Sequence, residues 1–192
     1  TGVRIVSAGL PLDDFSLHLI LNDSLLRLNP LTFGTANGDI KINASINARE
    51  TPAHLEADMA MTKLSLERLL GGVQKALPAT ERASGIVGGA ARITGKGASL
   101  HKMLATADGS IGVGMESGRL SHLLVELIGL DVAESLGVYF KGDETITVRC
   151  IVGDFAVNQG VMRPRALVLD TTDTNIQAQG EINLAAETLN IT

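Results

Sequence analysis

The single cysteine of this 192-residue chain, Cys150, is the first side chain whose chemistry needs an explanation. It lies in the segment TVRCIVGDFAVNQGVM, residues 147 to 162. A catalytic thiol needs a nearby base and an exposed, electropositive setting such as a loop or a helix start. Here the alternation of residue types predicts a strand in which Val148, Cys150 and Val152 share the apolar face. We therefore expect a buried thiol that packs as a small apolar side chain and is not a nucleophile.

A glycine-rich segment, GIVGGAARITGKG at residues 85 to 97, is the second candidate for chemistry because it resembles a phosphate-binding loop. In such a loop the Gly-Lys pair is followed by Ser or Thr, whose hydroxyl binds the metal ion. Gly97 stands at that position here. The segment also carries strand-forming residues, which favours a strand pair with glycine bulges. The sequence predicts no nucleotide or other cofactor.

Histidines and acidic pairs complete the candidates. Adjacent carboxylates at residues 13–14 and 143–144 lie beside turns, where neighbouring side chains seldom converge on one substrate atom. The histidines have no metal-ligand spacing among themselves or with the cysteine. They are His18, His54, His101 and His122. We therefore expect no catalytic residues and no metal site, which predicts a protein that is not an enzyme.

Composition narrows the function classes further. Hydrophobic residues make up 45% of the chain, but aromatic residues only 3%, so the apolar content is mostly Leu, Ile, Val and Ala. The net charge is −5, with no basic cluster and few aromatic rings for base stacking. Nucleic-acid binding needs those features, so we exclude it. No apolar run is long enough to span a bilayer.

Strand patterns dominate the chain. Residues 39–48, 54–61 and 175–184 alternate apolar and polar side chains with period two, which is typical of antiparallel strands with one dry face and one wet face. Less regular strands are expected at residues 15–21, 25–33, 85–94, 109–116, 145–157 and 161–170. If the sheet closes or packs against helices, the dry face is simply core. If it stays open as a curved trough, the dry face can bind long alkyl chains.

Three short amphipathic helices are expected between the strands, near residues 65–71, 99–106 and 121–137. The first two begin with Ser65 and Ser99, residues well suited to an N-cap. The fold class is therefore mainly β with short helices, a β-rich α+β protein. Because the chain starts without Met and stops at Thr192 within a strand pattern, we expect a single region, 1–192, from a longer protein.

Residues 145 to 191 contain Cys150, Phe155, Gly160, Asp170, Gly180 and Leu184 at spacings by which this segment resembles the C-terminal region of the AsmA family of bacterial envelope proteins. One position departs from the family pattern, since Asn183 stands where Asp is common. The resemblance extends upstream through the Ser-Leu helices to about residue 25. These six residues, to which we assign structural roles, carry the resemblance most strongly.

This resemblance implies a fold, a location and partners. AsmA-like proteins are anchored in the inner membrane of Gram-negative bacteria by an N-terminal helix and extend into the periplasm. Their body is similar to the β-groove of chorein-type bridge lipid-transfer proteins. The expected fold is thus a curved antiparallel sheet that forms a groove or half-barrel. The expected partners are phospholipid acyl chains, the inner membrane and other envelope proteins.

The implied function is phospholipid transport between the inner and outer membranes, which maintains the outer membrane. The alternative is a structural or assembly module that assists outer-membrane protein biogenesis through protein contacts. For the first function, we predict that ten apolar residues face the lipid in the groove. They are Ile40, Ile42, Ile46, Leu55, Met59, Met61, Val148, Val152, Ile176 and Ile182.

Overall fold

The computed structural model describes residues 2–5, 12–72, 82–120 and 145–192. These residues form twelve strands and two short helices. The strands are β1 Gly2–Ile5, β2 Leu12–Asn22, β3 Leu25–Thr35, β4 Gly38–Asn47, β5 His54–Ser65, β6 Ser84–Lys96, β7 Asp108–Leu120, β8 Ile146–Asn158, β9 Val161–Thr171, β10 Asn175–Gln177, β11 Gly180–Asn183 and β12 Thr188–Ile191. The helices are α1 Leu66–Leu69, between β5 and β6, and α2 Leu100–Ala105, between β6 and β7.

All twelve strands belong to one antiparallel sheet. From β1 to β9 each strand pairs with the next along the chain, and the order then continues through β11 to β12. The short strand β10 pairs with β9 beside this path. The sheet is not closed into a barrel. Because neighbouring strands twist, an open sheet of this many strands curls, which is consistent with the expected groove.

The predicted elements are confirmed over the described residues. Each predicted strand from residue 15 to residue 170 corresponds to one observed strand. The predicted strand at 175–184 is divided into β10 and β11, and the short edge strands β1 and β12 were not predicted. Both serine caps are present, because Ser65 accepts a hydrogen bond from the Arg68 amide and Ser99 from the Lys102 amide. The helix predicted at 121–137 lies outside the described residues.

The two faces of the sheet are defined by the cross-strand partners of β4 and β5. Ile40 lies opposite Met61, and Ile42 opposite Met59, so these side chains share one face, which we call the inner face. The outer face carries the alternate residues, for example Asn43 opposite Asp58. Because strand side chains alternate, this assignment extends from strand to strand through the observed register.

A β-bulge in β8 changes this alternation near the cysteine. Val148 pairs with Thr171 of β9 and Cys150 with Asp170, so one extra residue of β8 is inserted between them. Strand β7 carries a matching extra residue relative to β6, since β7 and β8 stay in register. A bulge of this kind re-aims the side chains beside it. Val148 consequently packs with Met115 of the inner face. The prediction that Val148, Cys150 and Val152 share one face is therefore wrong.

Two clusters of buried residues lie at opposite ends of the strands. The first, cluster 1, contains Met115, Leu120, Ile146 and Val148, and Leu66 of α1 packs against it. The second, cluster 2, contains Ala107, Val157 and Met162, with Phe155, Ile182 and Leu184 packed around it. The clustered core residues are thus divided between the two ends of the strands.

Candidate functional site

The inner face carries rows of apolar residues that run across the strands. One row passes from Leu31 through Ile42, Met59, Ala91 and Ile111 to Phe155. A second passes from Phe33 through Ile40, Met61, Gly89 and Val113 to Gly153. Because neighbouring strands lie about 4.8 Å apart, each of these rows, which run from β3 to β8, is roughly 24 Å long.

The inner face is least covered on β2. Leu17, Leu19 and Leu21 lie opposite Leu31, Leu28 and Leu26 of β3, in the same rows as the inner residues of β4. All three β2 leucines are exposed, and Leu21 most of all, at 70%. Val113, in the middle of β7, is also exposed. Exposed apolar patches of this kind are typical of interaction surfaces.

Helix α2 covers the inner face at one end of β6. A Cβ atom at Gly95 or Gly97 would overlap with the backbone of α2 around Met103, so only glycine permits this close approach. Met103 is buried there, at 6% exposure. Cluster 2 continues this covered region towards β8 and β9.

Helix α1 lies at the opposite end of the strands. Its first residue, Leu66, packs against cluster 1, in which Val148 is only 1% exposed. The Ser65 amide donates a hydrogen bond to the carbonyl of Ala36, 2.8 Å away, which ties the start of α1 to the β3–β4 turn. Among the described residues, the two helices therefore lie at opposite ends of the strands and leave Val113 and the β2 leucines of the inner face exposed.

The structure places eight of the ten predicted groove residues on the inner face. They are Ile40, Ile42, Ile46, Leu55, Met59, Met61, Ile176 and Ile182. Leu55 is buried, whereas the other seven are half-buried. Lipid contact by these residues stays a prediction.

Two of the ten depart from the predicted arrangement. Val148 lies within cluster 1 and is sealed from solvent, so it packs in the core. Val152 lies on the outer face, because its partners are Gly114 and Val168, one position away from the inner residues Met115 and Leu169. The physical reason is the β8 bulge, which shifts the side-chain alternation between these two valines.

The inner leucines of β2 and β3 were missed as groove residues. The sequence predicted strands there but did not identify which side chains line the face. The segment SLHLILN, residues 16 to 22, does carry leucine at every second position, and this signal could have found Leu17, Leu19 and Leu21.

The outer face is polar and carries ion pairs between neighbouring strands. Arg92 Nε lies 2.6 Å from Asp58 Oδ1, and Arg165 binds Asp154 through two nitrogens. These hydrogen bonds to carboxylates raise the pKa of both guanidinium groups. Pairs of this kind contribute little individually because they are exposed. Together they make much of the outer face polar, although Ile20, Ile86 and Val152 are also exposed there.

Asp170 is the most strongly connected carboxylate on this face. It accepts two hydrogen bonds from Arg149, at 2.8 and 2.9 Å, and one from Asn175, at 3.1 Å. The hydrogen bond from Arg149, followed by that from Asn175, lowers the pKa of Asp170 below its ordinary value. The contacts join β8, β9 and β10, which explains a structural role for this residue.

Cys150 is half-buried, not fully buried as the sequence predicted. Its cross-strand neighbours are Glu116 and Asp170, on the outer face. Neither flanking strand, β7 or β9, carries a histidine that could act as its base. In the part of the chain that the structure describes, no group of three or more His, Cys, Asp or Glu residues is placed to hold a metal ion.

Three of the remaining residues of the resemblance lie at the end of the strands near α2 and cluster 2, and Gly180 lies beside β12. Gly160 has a φ of 74°, and a Cβ there would overlap with the Ala105 carbonyl of α2. Its carbonyl accepts a hydrogen bond of 2.8 Å from the Leu184 amide. Phe155 and Leu184 pack against cluster 2. Gly180 has a φ of 138°, and a Cβ there would overlap with the Asn190 carbonyl of β12.

These features define a class of protein: a largely β chain whose open antiparallel sheet has one polar face and one apolar face bordered by two helices. Within the described residues, neither helix is long and apolar enough to cross a membrane.

Comparison with known proteins assigns the family. The model of the AsmA family matches residues 1–167, so the chain belongs to the AsmA family. It is 31% identical over 185 residues to AsmA family protein YhjG of Escherichia coli (strain K12). That alignment covers 96% of this chain but 26% of the relative, so the chain spans about a quarter of the relative's length. No solved structure matches it.

The comparisons confirm the family resemblance seen in the sequence. The family match ends at residue 167, so Asp170, Gly180 and Leu184 lie beyond it, although the alignment with the relative covers most of the chain. AsmA family proteins are associated with the bacterial envelope.

Proposed function

We propose that this chain forms part of a hydrophobic groove through which phospholipids move between the inner and outer membranes, in the periplasm. The observation that carries this proposal is the apolar inner face, which among the described residues is exposed on β2 and at Val113 while α1 and α2 lie at opposite ends of the strands. The function is non-enzymatic, and the ligand is held through its acyl chains.

The chemistry of the inner face suits acyl chains. Its side chains are mostly aliphatic, and each methylene group removed from water contributes about 0.8 kcal/mol. Along β4, the inner positions from Ile40 to Ile46 span roughly 20 Å, at about 3.3 Å per residue. A wall of similar aliphatic groups holds a chain at many equivalent positions, so the lipid is kept from water without a single deep site that would trap it.

The ion pairs of the outer face make it a poorer surface for acyl chains, which supports their assignment to the inner face. Its ion pairs, such as Arg92 with Asp58 and Arg165 with Asp154, would have to be desolvated by an apolar ligand. The lipid headgroup remains in solvent at the open side of the groove. We infer that the inner membrane anchors the full protein, and that envelope proteins supply direction and energy.

Site-specific photocrosslinking tests this proposal. A diazirine amino acid is placed at the inner positions Ile42, Met59 or Ile176 of the full chain, in cells. The matched controls are the adjacent outward positions Lys41, Ala60 and Gln177, which are exposed on the same strands. Val152 is an additional control, because it is apolar but lies on the outer face.

We expect phospholipid adducts from the inner positions and few from the controls, measured by mass spectrometry of the purified protein. Equal lipid labelling of both faces would contradict the proposal. Protein adducts without lipid adducts at the inner positions would instead support the alternative, a module that assists outer-membrane protein assembly.

A further inference from the structure

The five methionines of the chain all lie on the inner side of the sheet. Met59 and Met61 belong to the rows of β5 described above, Met115 lies opposite Val87 and Ile151, and Met162 lies opposite Val157. Met103 belongs to α2, which packs over Gly95 of this face. The polarisable thioether groups of this protein are therefore concentrated on the surface to which we assign the ligand.

Burial divides these methionines into two groups. Met103, Met115 and Met162 are buried, at 6%, 5% and 9% exposure, within or beside the clusters under the helices. Met59 and Met61 are half-buried and belong to neither cluster. Since oxidation of a thioether requires access of the oxidant, the second pair is the more reactive.

Met61 packs over a glycine of the neighbouring strand on the inner face. A Cβ atom at Gly89, its partner on β6, would lie 3.1 Å from the Met61 methyl carbon, so this side chain occupies the space that the glycine leaves free. Val113, the next residue of the same row, is exposed. The thioether of Met61 consequently lies in the centre of the inner face, in the same row as an exposed residue.

We propose that Met59 and Met61 form a methionine oxidation site that controls the apolarity of the groove. The oxidant is a peroxide such as hydrogen peroxide. The thioether sulfur attacks one peroxide oxygen, the S–O bond forms as the O–O bond breaks, and the other oxygen leaves as water with both protons. The sulfur loses two electrons, and the peroxide gains them.

Oxidation changes the wall because a sulfoxide is polar and chiral where the thioether is apolar. Met59 and Met61 are two residues apart on one strand, so two sulfoxides would lie about 7 Å apart on the same face. An acyl chain that passes them would have to remove these oxygens from water. This consequence rests on the proposed function, but the site itself does not.

The site is tested by peptide mass spectrometry of the full chain after brief treatment with hydrogen peroxide. We expect sulfoxides at Met59 and Met61 several-fold sooner than at Met103, Met115 and Met162. In urea, all five methionines should react at similar rates, which controls for local sequence effects. Similar rates in the folded protein would overturn the proposed site.

The consequence is tested by the phospholipid that co-purifies with the full chain. We expect peroxide treatment to lower the amount of co-purifying phospholipid in the wild type. In a Met59→Leu, Met61→Leu variant, whose inner face keeps its apolar volume, treated and untreated samples should carry the same amount. Selective oxidation of Met59 and Met61 without loss of lipid would contradict the proposal that oxidation controls the apolarity of the groove. Absence of lipid from the untreated protein would overturn the proposed function instead, and the mass-spectrometric result would still decide the site.

Discussion

At the scale of single residues, the two strongest candidates for chemistry, Cys150 and the glycine-rich segment, lie within strands of the sheet. Cys150 lies on the outer face of a bulged strand, and the glycine-rich segment is the strand β6. That the protein is not an enzyme stays a prediction. Asp170 is the residue whose ionisation the structure couples most clearly to folding, because three hydrogen bonds from Arg149 and Asn175 favour its charged form.

Replacement of Asp170 by Asn should lower stability most at neutral pH. The folded-state pKa of this carboxyl is lowered, so its contribution is present above the ordinary Asp value of about 3.9 and is lost as the pH falls through the folded-state value. The difference in urea midpoint between wild type and Asp170→Asn should therefore shrink between pH 7 and strongly acidic pH.

The matched control for this prediction is Asp39→Asn, an exposed carboxylate on β4, which should change the midpoint little at either pH. A difference for Asp170→Asn that stays constant over the whole pH range would contradict the assigned coupling.

At the scale of elements, the contact between α2 and the β8–β9 hairpin determines where the inner face is covered. Gly160, in the turn of this hairpin, donates its amide to the Ala107 carbonyl at 2.8 Å and approaches Ala105 closely. A side chain at this position would both strain the backbone and push α2 away from cluster 2.

Gly160→Ala should therefore destabilise the protein by roughly 1–3 kcal/mol, because its φ of 74° is unfavourable for alanine and a methyl group would overlap with the Ala105 carbonyl. Urea unfolding monitored by circular dichroism measures this change. Gly112→Ala is the matched control, since the nearest atom to its Cβ position is 4.0 Å away and its strand conformation accepts alanine. Equal effects of the two substitutions would contradict the role assigned to Gly160.

At the scale of the whole molecule, an open sheet keeps edges that a barrel would not have. Strand β1 pairs with residues Leu12 to Phe15 of β2, and among the described residues no strand pairs with the same edge from Leu17 to Asn22. This stretch also exposes Leu17, Leu19, Ile20 and Leu21. A free edge with apolar side chains favours strand addition from another chain.

A lysine at Leu21 should consequently reduce self-association of the isolated 192-residue chain while changing its stability by less than about 0.5 kcal/mol. Analytical ultracentrifugation over a concentration series measures the association. Leu100→Lys is the control, because Leu100 is similarly exposed, at 65%, but lies on α2 away from any strand edge. An equal reduction by both variants would show that exposed leucine alone, and not the edge, causes the association.

The sequence by itself determined the β-rich class, most strand positions, the two capped helices and the family, because period-two patterns, serine caps and motif residues are local signals. The tertiary structure decided which apolar residues remain accessible. Val148 and Val152 have the same type and parity, yet one is sealed in cluster 1 and the other lies on the outer face. The reason is that one extra residue in β8, matched by one in β7, reverses the alternation, and that helices α1 and α2 lie only at opposite ends of the strands. Both effects depend on contacts between distant parts of the chain, which no local pattern encodes.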